Sequence, residues 1–117
     1  MLKIDLTLPT PQQNIAFEQA MFDALEINAS ESKGNSKPNS QTALPTEFLR
    51  LWEPQAKFVV LGRSGKIKDE AFVQRCREDG VQIIRRASGG GTILAGAGCL
   101  MYSVVLSSIR NPALRDI

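Results

Sequence analysis

Three consecutive glycines, Gly89-Gly90-Gly91, stand between the apolar runs Val81-Gln82-Ile83-Ile84 and Thr92-Ile93-Leu94. No other feature constrains the chain as strongly. Without a Cβ, glycine reaches backbone conformations closed to other residues and lets a second group come close to the main chain. The β-branched residues on either side read as strands. The segment is therefore expected to run strand, open glycine loop, strand. It is not one of the usual nucleotide loops: it lacks a Gly-Lys-Ser/Thr ending, a strand pattern follows it instead of a helix, and the dinucleotide glycine spacing is absent.

The rest of the chain surrounds this loop with short elements. Leu2, Ile4, Leu6 and Leu8 alternate with Lys3, Asp5 and Thr7, the period of a half-buried strand. Pro9 ends it. Thr10 can cap a helix with Pro11 at its first position and Gln13 at the capping-box spacing, and Asn14 offers a competing cap one turn later. Ile15, Phe17, Met21, Ala24 and Leu25 recur at helical intervals to about Ile27. Phe48–Trp52 and Lys57–Leu61 read as strands. A short helix from Lys68 or Asp69 would place Phe72, Val73 and Cys76 on one face, with Gly80 as its left-handed cap. After the glycine loop, Ala95–Gly98 turns, and Cys99 to Leu106 is a strand with Leu100, Tyr102, Val104 and Leu106 on one face. Strands outnumber helices and are joined by short turns, which predicts an α+β fold with a mixed, largely antiparallel sheet and packed helices.

Between residues 28 and 46 the composition changes. The stretch is polar, rich in Ser, Asn, Lys and Gly, and free of large apolar side chains before Leu44. Such a segment cannot bury enough apolar surface to offset its ordering entropy, so a mobile surface insertion is expected. At 117 residues there is room for one domain. A net charge of +2 gives no case for nucleic-acid binding. No stretch approaches a membrane span and no signal peptide is evident, so a cytoplasmic, reduced setting is expected. With no histidine and only Cys76 and Cys99, no metal site is expected. Both cysteines read as packed thiols, and Lys66 and Lys68 as solvated charges ahead of a helix.

The chemistry concentrates in Arg85-Arg86-Ala87-Ser88-Gly89-Gly90-Gly91-Thr92. Consecutive backbone N–H groups in a glycine loop can form a concave anion site. An arginine at the end of the preceding strand adds a permanent charge and a planar donor fork suited to carboxylate or phosphate, and Ser88 adds a hydroxyl. The same residues also fit a glycine-rich hairpin whose arginines face solvent. The residues alone leave both readings open.

The run Arg85–Thr92 resembles the arginine–arginine–x–serine–glycine–glycine–glycine signature of the biotin/lipoate protein ligase superfamily, in its lipoate–protein ligase A branch. Asn14-Ile15-Ala16-Phe17-Glu18 is similar to that family's first helix, Leu49-Arg50-Leu51-Trp52 to the strand that follows it, and Val59-Val60-Leu61-Gly62-Arg63-Ser64 to its next strand and loop. These matches fall in the family's order and cover most of the chain outside the polar stretch. The resemblance implies a class II synthetase-like fold of which residues 1–117 form the N-terminal portion, truncated relative to a full catalytic domain. It implies that Arg85 meets the acyl carboxylate or adenylate phosphate with Arg86 as its partner. Ser88, Gly89, Gly90, Gly91 and Thr92 would wrap the adenylate, and Gly62 and Arg63 would line the acyl tunnel.

The implied reaction activates lipoate or octanoate with ATP and magnesium, then passes the acyl group to a lysine of a lipoyl-acceptor domain or carrier protein. Two alternatives are an ATP-independent octanoyl or lipoyl transferase of the same superfamily and a binding module that kept the fold without the chemistry. Where many ligases carry a histidine–aspartate pair this chain has Ala95-Gly96, and where the family often shows asparagine Cys99, Leu100 and Met101 follow Gly98. The family's reactive lysine and the transferases' nucleophilic cysteine match no residue here, so a partner chain completing the domain is a further expectation.

Overall fold

The computed structural model describes residues 1–31 and 46–116. The chain order is β1 (Leu2–Asp5), α1 (Pro11–Glu31), β2 (Phe48–Trp52), β3 (Phe58–Leu61), α2 (Ile67–Glu70), α3 (Val73–Glu78), β4 (Gln82–Arg85), β5 (Ile93–Ala95) and β6 (Met101–Val105), closed by a 3-10 turn at Pro112–Asp116. The expected α+β class is what forms, as two mixed three-stranded sheets, β1-β2-β6 and β4-β3-β5. In each, the central strand has one parallel and one antiparallel neighbour. The parallel partners are reached through helical crossovers, α1 between β1 and β2, and α2 with α3 between β3 and β4.

Helix α1 begins as its sequence dictates. Gln13 N–H donates to Thr10 Oγ1 at 3.2 Å and Thr10 N–H donates to Gln13 Oε1 at 3.1 Å, a reciprocal capping box with Pro11 at the first helical position. Asn14, the competing cap, is instead buried inside the first turn. The helix runs to Glu31, four residues past the expected end. Extending a nucleated helix by a turn costs little even for Asn and Ser, so a polar composition does not stop it. Those residues were expected to open the mobile insertion, of which residues 32–45 lie outside the described residues.

The one helix expected after residue 67 forms as two, separated by Ala71 and Phe72, and neither buries a residue. Phe72 is 84% exposed, so the expected shared face of Phe72, Val73 and Cys76 does not pack as a unit. The end of α3 does follow the expectation. Gly80 takes φ +67°, Val81 N–H donates to the Cys76 carbonyl at 2.8 Å and Gly80 N–H to that of Arg77 at 3.3 Å, the paired bonds of a Schellman cap. Cys76 and Cys99 are free and only half-buried, so neither is the packed core thiol expected.

The core forms where the two sheets meet α1. Ile15, Trp52, Phe58, Val60 and Ala95 are buried together, with Ile84 and Met101 against them. All four residues of β3 are buried, as a continuous apolar run at the centre of a sheet requires. Trp52 and Phe58 stack with ring centroids 6.3 Å apart, linking one sheet to the other. On β6 the alternation holds, but Leu100, Tyr102, Val104 and Leu106 lie on the uncovered side, from 40% to 71% exposed. Met101, Ser103 and Val105 turn inward.

Candidate functional site

The two arginines of the signature point to different places because neighbouring residues at a strand end project to opposite sides. Arg85 Nη1 donates to the carbonyls of Gly62 (2.8 Å), Arg63 (3.2 Å) and Gly65 (2.7 Å), fixing the turn that follows β3. Arg86 Nη2 donates to the carbonyls of Gly89 (2.7 Å) and Gly91 (2.9 Å), which ties the glycine loop to the end of β4. The backbone completes the clamp, with Arg63 N–H on the Ser88 carbonyl and Arg86 N–H on the Leu61 carbonyl, each at 2.9 Å. Gly62 is buried under the loop. A Cβ there would fall on the Gly90 carbonyl oxygen, and Gly90 itself takes φ +98°. Glycine is required at both positions for the loop to lie on the strand end.

Against this loop opens a cleft of about 720 Å³, of a size that takes a small-molecule ligand. One wall carries Arg63, Arg86 and Ser88; helix α1 and strand β6 supply others, including Ile15, Phe22 and Met101. Of the residues singled out by sequence, Arg63, Arg86 and Ser88 therefore meet at the cleft. Gly62, Gly89, Gly90 and Gly91 form the turn and loop behind it. Arg85, expected to meet the ligand directly, does not line the cleft and holds the loop's support instead. Thr92 turns away, bonded through its hydroxyl to Glu70 beside a smaller hollow under Phe72. Lys66 and Lys68 are exposed and line neither space.

Residues the signature does not include build the opposite wall. Glu18 Oε1 accepts from Trp52 Nε1 at 3.2 Å and from Ser103 Oγ at 2.5 Å, so α1, β2 and β6 converge on one carboxylate oxygen. Beneath it lies Arg50, fully buried. Arg50 donates to the Leu6 carbonyl from Nε (3.1 Å) and Nη2 (2.9 Å), to the Asn14 carbonyl from Nη1 (2.8 Å) and to Asn14 Oδ1 from Nη2 (2.5 Å). Its guanidinium sits between the rings of Phe17 and Trp52, at 4.8 and 4.9 Å. Burial pushes its pKa below the usual arginine value and the Glu18 carboxylate opposes that shift, yet arginine keeps its proton. The sequence held one signal for this buried cation: Arg50 falls on the same strand face as Phe48 and Trp52.

The donor chemistry of Arg63, Arg86 and Ser88 fits a carboxylate or phosphate. Among the described residues, no group of three or more His, Cys, Asp or Glu is placed to hold a metal ion. Among the described residues, no helix is long and apolar enough to cross a membrane.

Comparison with known proteins gives the same direction. The family model described as lipoyl protein ligase A/B catalytic domain matches residues 10–116. A Schizosaccharomyces pombe protein provisionally named lipoate-protein ligase A is 47% identical over 69 residues, covering 50% of this chain and 19% of that protein. Plasmodium falciparum LipL1 in complex with lipoate has a similar fold at a TM-score of 0.67 and 19% identity, over 97% of this chain and 33% of that one. A lipoate-protein ligase A bound with ATP is similar at a TM-score of 0.61 and 19% identity, over 89% and 36%. A bi-partite lipoate protein ligase from Thermoplasma acidophilum, described with its E2 lipoyl domain, is similar at 0.55 and 22%, over 89% and 35%. The chain thus spans about a fifth of that curated relative and about a third of these solved chains. The chain belongs to the lipoyl protein ligase A/B catalytic domain family.

Proposed function

We infer that this chain is the acyl- and adenylate-binding portion of a lipoate or octanoate–protein ligase. The observation that carries the reading is the cleft itself, which sets the carboxylate-binding donors of Arg63, Arg86 and Ser88 beside an apolar space walled by Ile15, Phe22 and Met101. A medium-chain acid fits that division, with its carboxyl at the loop and its tail against α1 and β6. ATP supplies the adenylyl group that activates the acid, and the product acyl group goes to a lysine of a lipoyl-acceptor domain. This chain's residues bind and orient. Arg86 spans Gly89 and Gly91 and so fixes the loop amides, while Ser88 and Arg63 offer donors at the carboxyl end. Oriented donors of this kind stabilise charge that develops on a carbonyl or phosphate oxygen.

The relatives known to bind lipoate or ATP support the substrate class, since they share this fold across nearly the whole chain. A transferase that needs no ATP would use the same acyl cleft, so the adenylate end decides between the two. Calorimetric titration with octanoate, lipoate and the non-hydrolysable mimic octanoyl-sulfamoyl adenosine tests the proposal. The mimic is expected to bind at least about tenfold more tightly than octanoate, because its sulfamoyl group and adenosine add contacts at the loop that a carboxylate alone does not make. Equal affinity for the mimic and octanoate would favour the transferase; absence of binding by all three would remove the acyl-cleft reading.

A further inference from the structure

The geometry points to Glu18 as the residue that decides which acids the cleft accepts, by refusing a carboxylate at the far end of the acyl chain. This inference rests on the acyl-cleft reading above. The cleft has walls of opposite charge: Arg63 and Arg86 on the loop side, Glu18 on the α1 side. The Glu18 carboxylate is not free to swing aside, because Trp52 Nε1 and Ser103 Oγ both donate to its Oε1 from two paired strands. Trp52 is itself 3% exposed and lies against the buried guanidinium of Arg50. The negative charge is thus held in place by residues that cannot easily move.

An acid with an apolar tail meets no conflict here. Its single carboxylate goes to Arg86 and Ser88, and its hydrocarbon passes Ile15 and Met101. A dicarboxylate of the same length, held at the same donors, must bring its second carboxylate to the wall that carries Glu18. The buried Arg50 cation offsets part of the Glu18 charge, but its hydrogen bonds go to Leu6 and Asn14, and the like charges that remain repel more strongly in a half-enclosed site of reduced dielectric than in water. Discrimination of this kind comes from a built-in repulsion as well as from a favourable contact. Glu18 therefore selects monocarboxylic acids whose distal end is uncharged.

The test titrates octanoate, octanedioate and monomethyl octanedioate into the unaltered chain and into Glu18→Gln. Binding is followed by the fluorescence of Trp52, the only tryptophan, and checked by calorimetry. Gln keeps an oxygen for Trp52 and Ser103 and removes the charge, with an amide NH2 in place of the second carboxylate oxygen. The unaltered chain is expected to bind octanedioate at least about tenfold more weakly than its monomethyl ester, and Glu18→Gln to narrow the gap to about threefold or less. Equal affinity for diacid and ester in the unaltered chain overturns the inference, as does a gap that Glu18→Gln leaves unchanged. The ester–diacid comparison needs no variant, so a Glu18→Gln chain that fails to fold does not shelter the idea. Octanoate binding without discrimination against the diacid sinks this inference alone. Failure of all three acids to bind sinks the acyl-cleft reading with it.

Discussion

A Cβ on Gly62 would occupy the position of the Gly90 carbonyl oxygen, so the strand end and the glycine loop are in direct backbone contact. Residues of the loop reach the cleft from that seat. Gly62→Ala forces the loop or the strand to shift, and overpacking of this kind costs about 1–3 kcal/mol. The expected outcome is a lower urea midpoint together with weaker binding of the acyl-adenylate mimic. Gly89→Ala, where an added Cβ meets nothing within 4 Å, is expected to leave the urea midpoint nearly unchanged.

Arg85 and Arg86 are adjacent and carry the same charge, but they hold different backbone. Arg86→Ala removes the bonds to Gly89 and Gly91 and a cation from the cleft wall, and is expected to weaken binding of the mimic by about tenfold to a hundredfold. Arg85→Ala frees the turn at Gly62–Gly65 and is expected to lower stability more than affinity. Paired denaturation and titration of both variants separates the two roles. An equal loss of affinity in both would contradict the division.

The sequence carried the site's loop but not its opposite wall. Strands and glycine loop were legible because local patterns set them: alternation in β6, the capping box at Thr10, the Schellman cap at Gly80. The arginine–glycine signature likewise announced Arg86 and Ser88. Glu18 was not legible as a wall residue. Its partners Trp52 and Ser103 lie 34 and 85 residues away, and only tertiary packing brings them together. That Arg86 and not Arg85 lines the cleft has the same origin, since it depends on which side of β4 faces the cleft. The split of α2 from α3 escaped because Phe72 matches a helical pattern yet is not covered by a neighbour.

Arg50 is the most consequential of the residues hidden from sequence. Five groups depend on it: the carbonyls of Leu6 and Asn14, the Asn14 amide oxygen and the rings of Phe17 and Trp52. Arg50→Ala takes a donor from the Leu6 and Asn14 carbonyls and from Asn14 Oδ1, which keeps only the Leu8 N–H, leaves a cavity beside Trp52, and is expected to destabilise the chain by about 3–5 kcal/mol. Arg50→Lys cannot reach all three acceptors from a single ammonium and should recover only part of that loss. Chemical denaturation of both variants measures it; a loss below about 1 kcal/mol for Arg50→Ala would remove Arg50 from this role.

Thr10→Ala tests the start of α1, the helix that carries Glu18. It deletes one half of the capping box and is expected to cost about 1 kcal/mol. The change is read as a fall in melting temperature, and Thr10→Ser is expected to restore most of it.

On the acyl-cleft reading, ligand binds between the glycine loop and the wall of α1 and β6. The most direct measurement is an amide and indole NMR titration with octanoyl-sulfamoyl adenosine. The largest shifts are expected at the amides of Ser88–Gly91 and at the Trp52 Nε1–H, which bonds to Glu18. Shifts confined to Ala71–Cys76 and Leu94, around the smaller hollow, with the loop and Trp52 unmoved, would place the ligand outside the acyl cleft.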